Sequence, residues 1–185
     1  MILPIYAYGN PVLKRKADDI TSDHPGLAET VANMWETMYA AQGVGLAAPQ
    51  VGLPLRIFVV DTIQILEEEK KAEGIRRVFI NALVTDESGD LWPYEEGCLS
   101  IPHIRGDVER KQRVRIRYRD ENFEVRDEIY EGINARVIQH EYDHIEGVLF
   151  IEKLKPLKKK LIQRKLNDIK TGKVSADYKL KFART

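Results

Sequence analysis

The stretch Ile133-Asn134-Ala135-Arg136-Val137-Ile138-Gln139-His140-Glu141-Tyr142-Asp143-His144-Ile145-Glu146-Gly147 begins with apolar residues at helical spacing and closes on a glycine. A helix is expected from about Ile133 that stops at Gly147, because a left-handed cap suits a residue without a Cβ. His140 and His144 then share one face, so two imidazoles can hold one cation while Glu141, one step round, reaches a water beside it. The pattern points to hydrolysis by an activated water. Two solvated histidines on a surface helix are the bland alternative, and a third ligand would decide against it.

Around this helix the chain alternates between two periods. Leu27, Val31, Met34 and Met38 recur at helical spacing, with Ser22 or Asp23 as caps, Pro25 near the first turn and Gly43 as the stop, which places a helix near 25–42. Arg56 to Asp61 and Arg76 to Val84 are β-branched and aromatic runs, and Val114, Ile116 and Tyr118 alternate with arginines, so these read as strands. Arg119-Asp120-Glu121-Asn122 turns the chain into a second strand from Phe123 to Ile129. Glu67 to Glu73 reads as a solvated loop or short insertion. A final helix fits Pro156 to Lys170, with Leu157, Leu161, Leu166 and Ile169 along one side.

The expected fold is therefore α+β: mixed or antiparallel sheets packed around a central metal-binding helix, flanked by an N-terminal and a C-terminal helix. At 185 residues, 43% hydrophobic and 31% charged, the chain suits one folded domain. In that division residues 1–155 are the catalytic part, and 156–185 are a basic helix and tail belonging to the same domain. Cys98 is the only cysteine, which excludes an intrachain disulfide and a disulfide-stapled secreted scaffold. The opening residues lack the basic start and apolar run of a signal peptide, and no 18 apolar residues run together, so the cytoplasm is expected and no membrane is. Net charge is zero, yet Lys153 to Thr185 carries +10 and the rest −10. Such asymmetry points the tail at an anionic partner, unless it is simply a solvated face.

Two standard layouts for the third ligand fail. A third histidine six residues past His144 is replaced by Phe150, and no glutamate follows Glu152. Upstream, Cys98 offers a thiolate, which with two imidazoles leaves one tetrahedral position open for water. A lone cysteine is also a good small buried hydrophobe. Gly97, which permits close backbone approach, with Ser100 and Pro102, marks an irregular segment and favours the ligand. A third small-residue segment, Gly43-Val44-Gly45-Leu46-Ala47-Ala48-Pro49-Gln50, lacks the ending of a phosphate loop, but Gln50 has an amide able to donate to a developing oxyanion.

Taken together, residues 43–50, Glu96-Gly97-Cys98-Leu99-Ser100 and Gln139 to His144 resemble, in order and spacing, the three motifs of the peptide deformylase family. The likeness covers Tyr6 to Pro156. It implies removal of the formyl group from the N-terminal formyl-methionine of nascent chains, with release of formate. It also implies one divalent metal, Fe2+ in the cell with Zn2+, Ni2+ or Co2+ able to replace it, held by Cys98, His140 and His144. Glu141 is then the general acid/base, and the Gln50 side chain and Leu99 amide receive the formyl oxygen. The substrate-binding set it implies is Val44, Gly45, Glu96, Gly97, Ile133, Arg136 and Val137. Gly45 would pair with the peptide backbone, Val44, Ile133 and Val137 would line the methionine pocket, and Glu96 would brace the site through Arg110. Arg136 departs from the apolar residue common there, and its stem is expected to cover the methionine while the guanidinium reaches solvent. Relatives whose C-terminal helix docks on the ribosome extend the same expectation to Lys158, Lys159, Lys160, Arg164 and Lys165. Two other readings remain open on the residues alone: a metallopeptidase cutting internal bonds, and an RNA- or ribosome-binding module with a structural metal.

Overall fold

The computed structural model describes residues 1–183, and positions 184 and 185 of the basic tail lie outside the described residues. In chain order the elements are β1 (Ile5–Tyr6), α1 (Leu27–Ala40), β2 (Gly45–Ala47), β3 (Ile57–Asp61), β4 (Arg76–Cys98) and β5 (Ile101–Arg119). There follow β6 (Val125–Glu131), α2 (Gly132–Ile145), α3 (Pro156–Leu161), α4 (Gln163–Lys170) and β7 (Leu180–Lys181). Strands β2-β3-β4-β5-β6 form one antiparallel sheet in that order, and β1 pairs with β7 in parallel. The architecture is α+β, as expected.

Strand β3 shows why the sheet separates two helices. All five of its residues are buried, and successive side chains point to opposite faces. Phe58 and Val60 join Phe79, Val114 and Ile116 under Ala135, Ile138 and Ile145 of α2, with Phe58 and Phe79 stacked at 4.7 Å. Ile57 and Val59 join Val78 and Ile80 against Met34 and Met38 of α1. Each such side chain, fully buried, contributes about 1.5–3 kcal/mol. A third cluster gathers Leu13, Ile101, Ile104, Val108 and Phe150 with Ile162, Leu166 and Ile169. Helix α2 thus lies against the sheet and carries its polar face to the junction of these clusters.

The differences from expectation have local causes. Helix α1 begins at Leu27 after Gly26, whose φ of 71° no ordinary residue favours, so neither Ser22 nor Asp23 caps it. The strand expected to end at Val84 continues to Cys98. Register shifts at Ile80/Leu83, Val84/Asp86 and Ser88/Leu91 insert extra residues and scramble the alternation that marks a strand. Cys98 therefore sits at the end of a long hairpin, turned at Leu99 and Ser100, and not in an irregular loop. The partner strand likewise starts earlier, at Ile101, with Ile104, Val108, Val114 and Ile116 alternately buried. The second strand of the following hairpin, expected from Phe123 to Ile129, is Val125–Glu131: Phe123 has a φ of 64° and belongs to the turn. Residues 68–73 form an exposed 3-10 turn between β3 and β4.

The final helix breaks at Ile162. Leu157 and Leu161 are 71% and 69% exposed, while Ile162, Leu166 and Ile169 are buried. The two stripes are offset by one residue, about 100° of rotation, so only one can face the core. Among the described residues no helix is long and apolar enough to cross a membrane.

Candidate metal centre and substrate pocket

Three elements converge on one point. Helix α2 presents His140 and His144, their rings 5.1 Å apart, and the end of β4 presents Cys98. Cys98 Sγ lies 3.3 Å from His144 Nε2, and one ligand atom from each of the three residues lies within 4.8 Å of the others. Phe150 tilts against the His140 ring at 5.9 Å and shields it.

The surroundings are anionic, and a cation suits them. Burial and the charges of His140 and Arg110 push His144 well below the ordinary imidazole pKa, leaving it a neutral lone-pair donor. Burial also acts to lower His140, but the Cys98 sulfur, Glu96 and Glu141 outweigh it and raise that pKa well above the ordinary value. The same field favours a divalent ion between a thiolate and two imidazoles, a donor set suited to zinc or iron. The residues fit a mononuclear metal.

A buried ion-pair network fixes the sulfur-bearing strand to the helix. Arg110 Nε and Nη2 donate to Glu96 at 2.9 and 3.2 Å, and Arg110 Nη1 donates to Asp143 at 2.8 Å. Burial alone would raise the Glu96 carboxyl, yet His140 and Arg110 hold it at about 2. Glu96 Oε1 in turn lies 3.7 Å from His140 Nδ1 and orients that ring.

Glu141 faces the same space from α2. Its Oε2 is buried with no hydrogen-bond partner in the protein, and burial pushes its pKa up to about 7, with His140 opposing and Glu96 adding to the rise. Gln50 approaches from the opposite side: its Oε1 accepts from the Ala47 amide at 2.9 Å. This pins the amide group so that Nε2 points at Cys98 Sγ, 3.4 Å away, and at Ser100 Oγ, 3.3 Å away.

A cavity of about 550 Å³ opens onto these groups. Glu141, Gln50, Leu99, Val44, Gly45, Glu96, Gly97, Ile133, Arg136, Val137, Cys98 and His140 all line it, and His144 reaches it only through Cys98, 3.3 Å away. The sequence reading missed Tyr94 and the segment Ser175–Tyr178, which also line it. Tyr94 lies in the part of β4 that the bulges concealed. For Ser175–Tyr178 the basic composition of the tail masked the aromatic and small residues within it.

Arg136 is placed differently from expectation. Its guanidinium does not reach solvent: the residue is 2% exposed, donates from Nη1 to the Val108 carbonyl at 2.9 Å and from Nη2 to the Trp92 carbonyl at 2.6 Å, and lies over the Trp92 ring. The long β4–β5 hairpin closes over this side of α2 and supplies both carbonyls and the aromatic face, which offset part of the cost of burying the charge.

A sulfur and two imidazoles beside a buried carboxylate, facing one cavity in an α+β fold, are the donor set and base that a mononuclear metallohydrolase would use. The comparisons narrow this. The family profile described as polypeptide deformylase matches residues 2–160, and the chain belongs to that family. A peptide deformylase of Flavobacterium johnsoniae is 55% identical over 99% of this chain and 97% of the relative. One from Salinibacter ruber is 46% identical over 97% and 94%. Among solved structures, a peptide deformylase from Legionella pneumophila superposes with a TM-score of 0.81 at 33% identity, covering 94% of this chain and 98% of that one. One from Plasmodium falciparum in complex with an inhibitor gives 0.78 at 37% identity, covering 89% and 97%. The chain is thus an enzyme that removes an N-terminal formyl group.

Proposed function

We propose that this enzyme acts on the formyl-methionine of nascent polypeptides and releases formate, with Glu141 as the general acid/base. The observation that carries the reading is the unpartnered, buried Glu141 carboxylate, which shares one cavity with Cys98, His140 and the Gln50 amide. Cys98, His140 and His144 would hold the metal, Fe2+ in the cell and replaceable by Zn2+, Ni2+ or Co2+. When bound, that ion supplies Lewis acidity, which polarises the formyl group and eases the ionisation of water.

The protein groups do the rest. Burial, which raises the Glu141 pKa, suits this carboxylate to take a proton from the attacking water and return it to the leaving amine. Gln50 Nε2 and the Leu99 amide donate to the developing oxyanion, each worth about 2.7–4 kcal/mol in the transition state. Gly45 lies on the edge strand of the sheet and lines the cavity, so its backbone is available to the peptide. Val44, Ile133 and Val137 supply an apolar wall for the methionine side chain. Glu96 and Arg110 brace the Cys98 strand, and Arg136 closes the pocket from below.

Formate release from formyl-Met-Ala, measured beside cleavage of an unblocked peptide, separates this reading from an internal metallopeptidase. The metal content of protein prepared without oxygen identifies the ion in the same sample. Cleavage of the unblocked peptide without formate release would overturn the proposal.

The same reading extends to the ribosome as a partner. Leu157 and Leu161 are exposed among Lys158, Lys159, Lys160 and Arg164, a surface suited to ribosomal RNA. Truncation is a poor test, because Ile162, Leu166 and Ile169 belong to the core. Charge reversal at Lys158, Lys159 and Arg164 leaves that core intact and should weaken ribosome co-sedimentation; undiminished binding would remove the idea.

A further inference from the structure

Beyond α4 the chain does not trail into solvent. Gly172, with a φ of 73°, reverses it, and Val174 packs against the core. Ser175 to Tyr178 then pass along the cavity, and β7 pairs with β1, Ile5 opposite Leu180. The Asn10 side-chain amide ties the crossing together, donating to the Ala7 carbonyl at 2.7 Å and to the Lys181 carbonyl at 2.9 Å.

This strap meets the hairpin turn that carries Leu99. The Tyr178 hydroxyl donates to the Leu99 carbonyl at 2.7 Å, and the Tyr8 amide donates to the Ser100 carbonyl at 2.8 Å. His103 Nε2 lies 2.6 Å from the Ser175 carbonyl, on the strand leaving the turn. The ladder itself is irregular here, with a register shift between Gly97 and Cys98. The segments before and after the main fold therefore supply constraints that the hairpin lacks.

We propose that Tyr178 is a positioning residue: by holding the Leu99 carbonyl it restrains the turn about the Leu99 Cα, and through it the adjoining peptide group whose N–H, that of Leu99, receives the formyl oxygen. The inference rests on the reaction assigned above. A donor aimed at charge that develops only in the transition state acts on kcat more than on KM, and a loosened one loses most of its effect.

The test compares Tyr178→Phe with Tyr6→Phe. Lys181 Nζ donates to the Tyr6 hydroxyl at 2.9 Å, so the second change loosens the same strap without touching the turn. Tyr178→Phe should lower kcat for formyl-Met-Ala about tenfold and leave KM within about twofold. In zinc-loaded protein the backbone order parameters of Leu99 and Ser100 should fall from about 0.85 to below about 0.6. Tyr6→Phe should change neither quantity. Unchanged kcat in Tyr178→Phe, unchanged order at the turn, or equal losses in both variants would each overturn the proposal. A wild-type protein that releases no formate would overturn the assigned reaction and the role of Tyr178 in it. The order parameters distinguish that failure from a turn that Tyr178 never held.

Discussion

Replacing Gly45 by alanine crowds the Glu141 carboxylate. A Cβ built on Gly45 would stand 2.6 Å from Glu141 Oε1 and 2.8 Å from its Cδ. Ordinary contact begins at 3.4 Å, so the carboxylate must retreat by about 0.8 Å. Glu141 is the tip of a flexible side chain, but it is 4% exposed and has little room to withdraw. Catalytic groups tolerate displacements of about 0.5 Å, and a misplacement of about 1 Å costs on the order of 10²-fold. The expected loss in kcat/KM is therefore about 100-fold, or about 2.7 kcal/mol of transition-state stabilisation. The φ of Gly45 lies outside the left-handed region, so alanine imposes no backbone strain and the fold should persist. The assay is initial-rate formate release from formyl-Met-Ala, with metal content and thermal unfolding measured on the same preparations. Wild-type kcat/KM in a folded, metal-loaded Gly45→Ala protein would refute the placement of Glu141 and the role built on it.

Changing Glu141 to Gln preserves shape and should leave metal bound while turnover falls by about 10²–10⁴-fold; wild-type turnover would remove the residue from acid/base work. Arg110→Met strands the buried Glu96 carboxylate and takes the nearer partner from the half-buried Asp143, and should lower stability by about 3–5 kcal/mol in urea unfolding, with a loss under about 1 kcal/mol showing that the network is idle. Asp120→Asn weakens a carboxylate that accepts the Asn122 and Glu124 amides at 3.0 Å and pairs with Arg126, and should cost about 1–3 kcal/mol at pH 7. Burial raises the Asp120 pKa, but Arg126 and the two amides lower it further, so its contribution is present above the unfolded value of about 3.9 and fades as the pH falls through the folded one. The gap between wild type and Asp120→Asn should narrow at pH 3, and a constant gap would contradict the assignment.

The parts of the site legible in the sequence were those encoded at short range. His140, Glu141 and His144 share a helix, and the helix period alone places two imidazoles together with a carboxylate beside them. Cys98 entered as the soft ligand left once two standard layouts failed and Gln50 as an amide donor, but nothing in local spacing brings residues 50, 98 and 140 together, and the likeness of three separate motifs tied them to that helix. What escaped was set by irregularity or by distance. Bulges in β4 hid a strand of 23 residues behind a broken alternation. The stripe in the final helix contained apolar residues from two faces, and the period could not say which one the core would take. Arg136 looked like a snorkelling side chain because the carbonyls that hold it lie 28 and 44 positions upstream. The contact between Tyr178 and Leu99 spans 79 residues and involves no pattern that either segment shows alone.

The pairing of Ile5 with Leu180 joins two strands 175 residues apart in the chain. A ribosome delivers polypeptide from the N-terminus, and early segments begin to fold first. Cys98, His140 and His144 all precede Tyr178 in that order, so the turn bearing Leu99 is made before the tyrosine that holds its carbonyl. Translation thus imposes an order on synthesis: the residues of the candidate metal site come before the strap beside them.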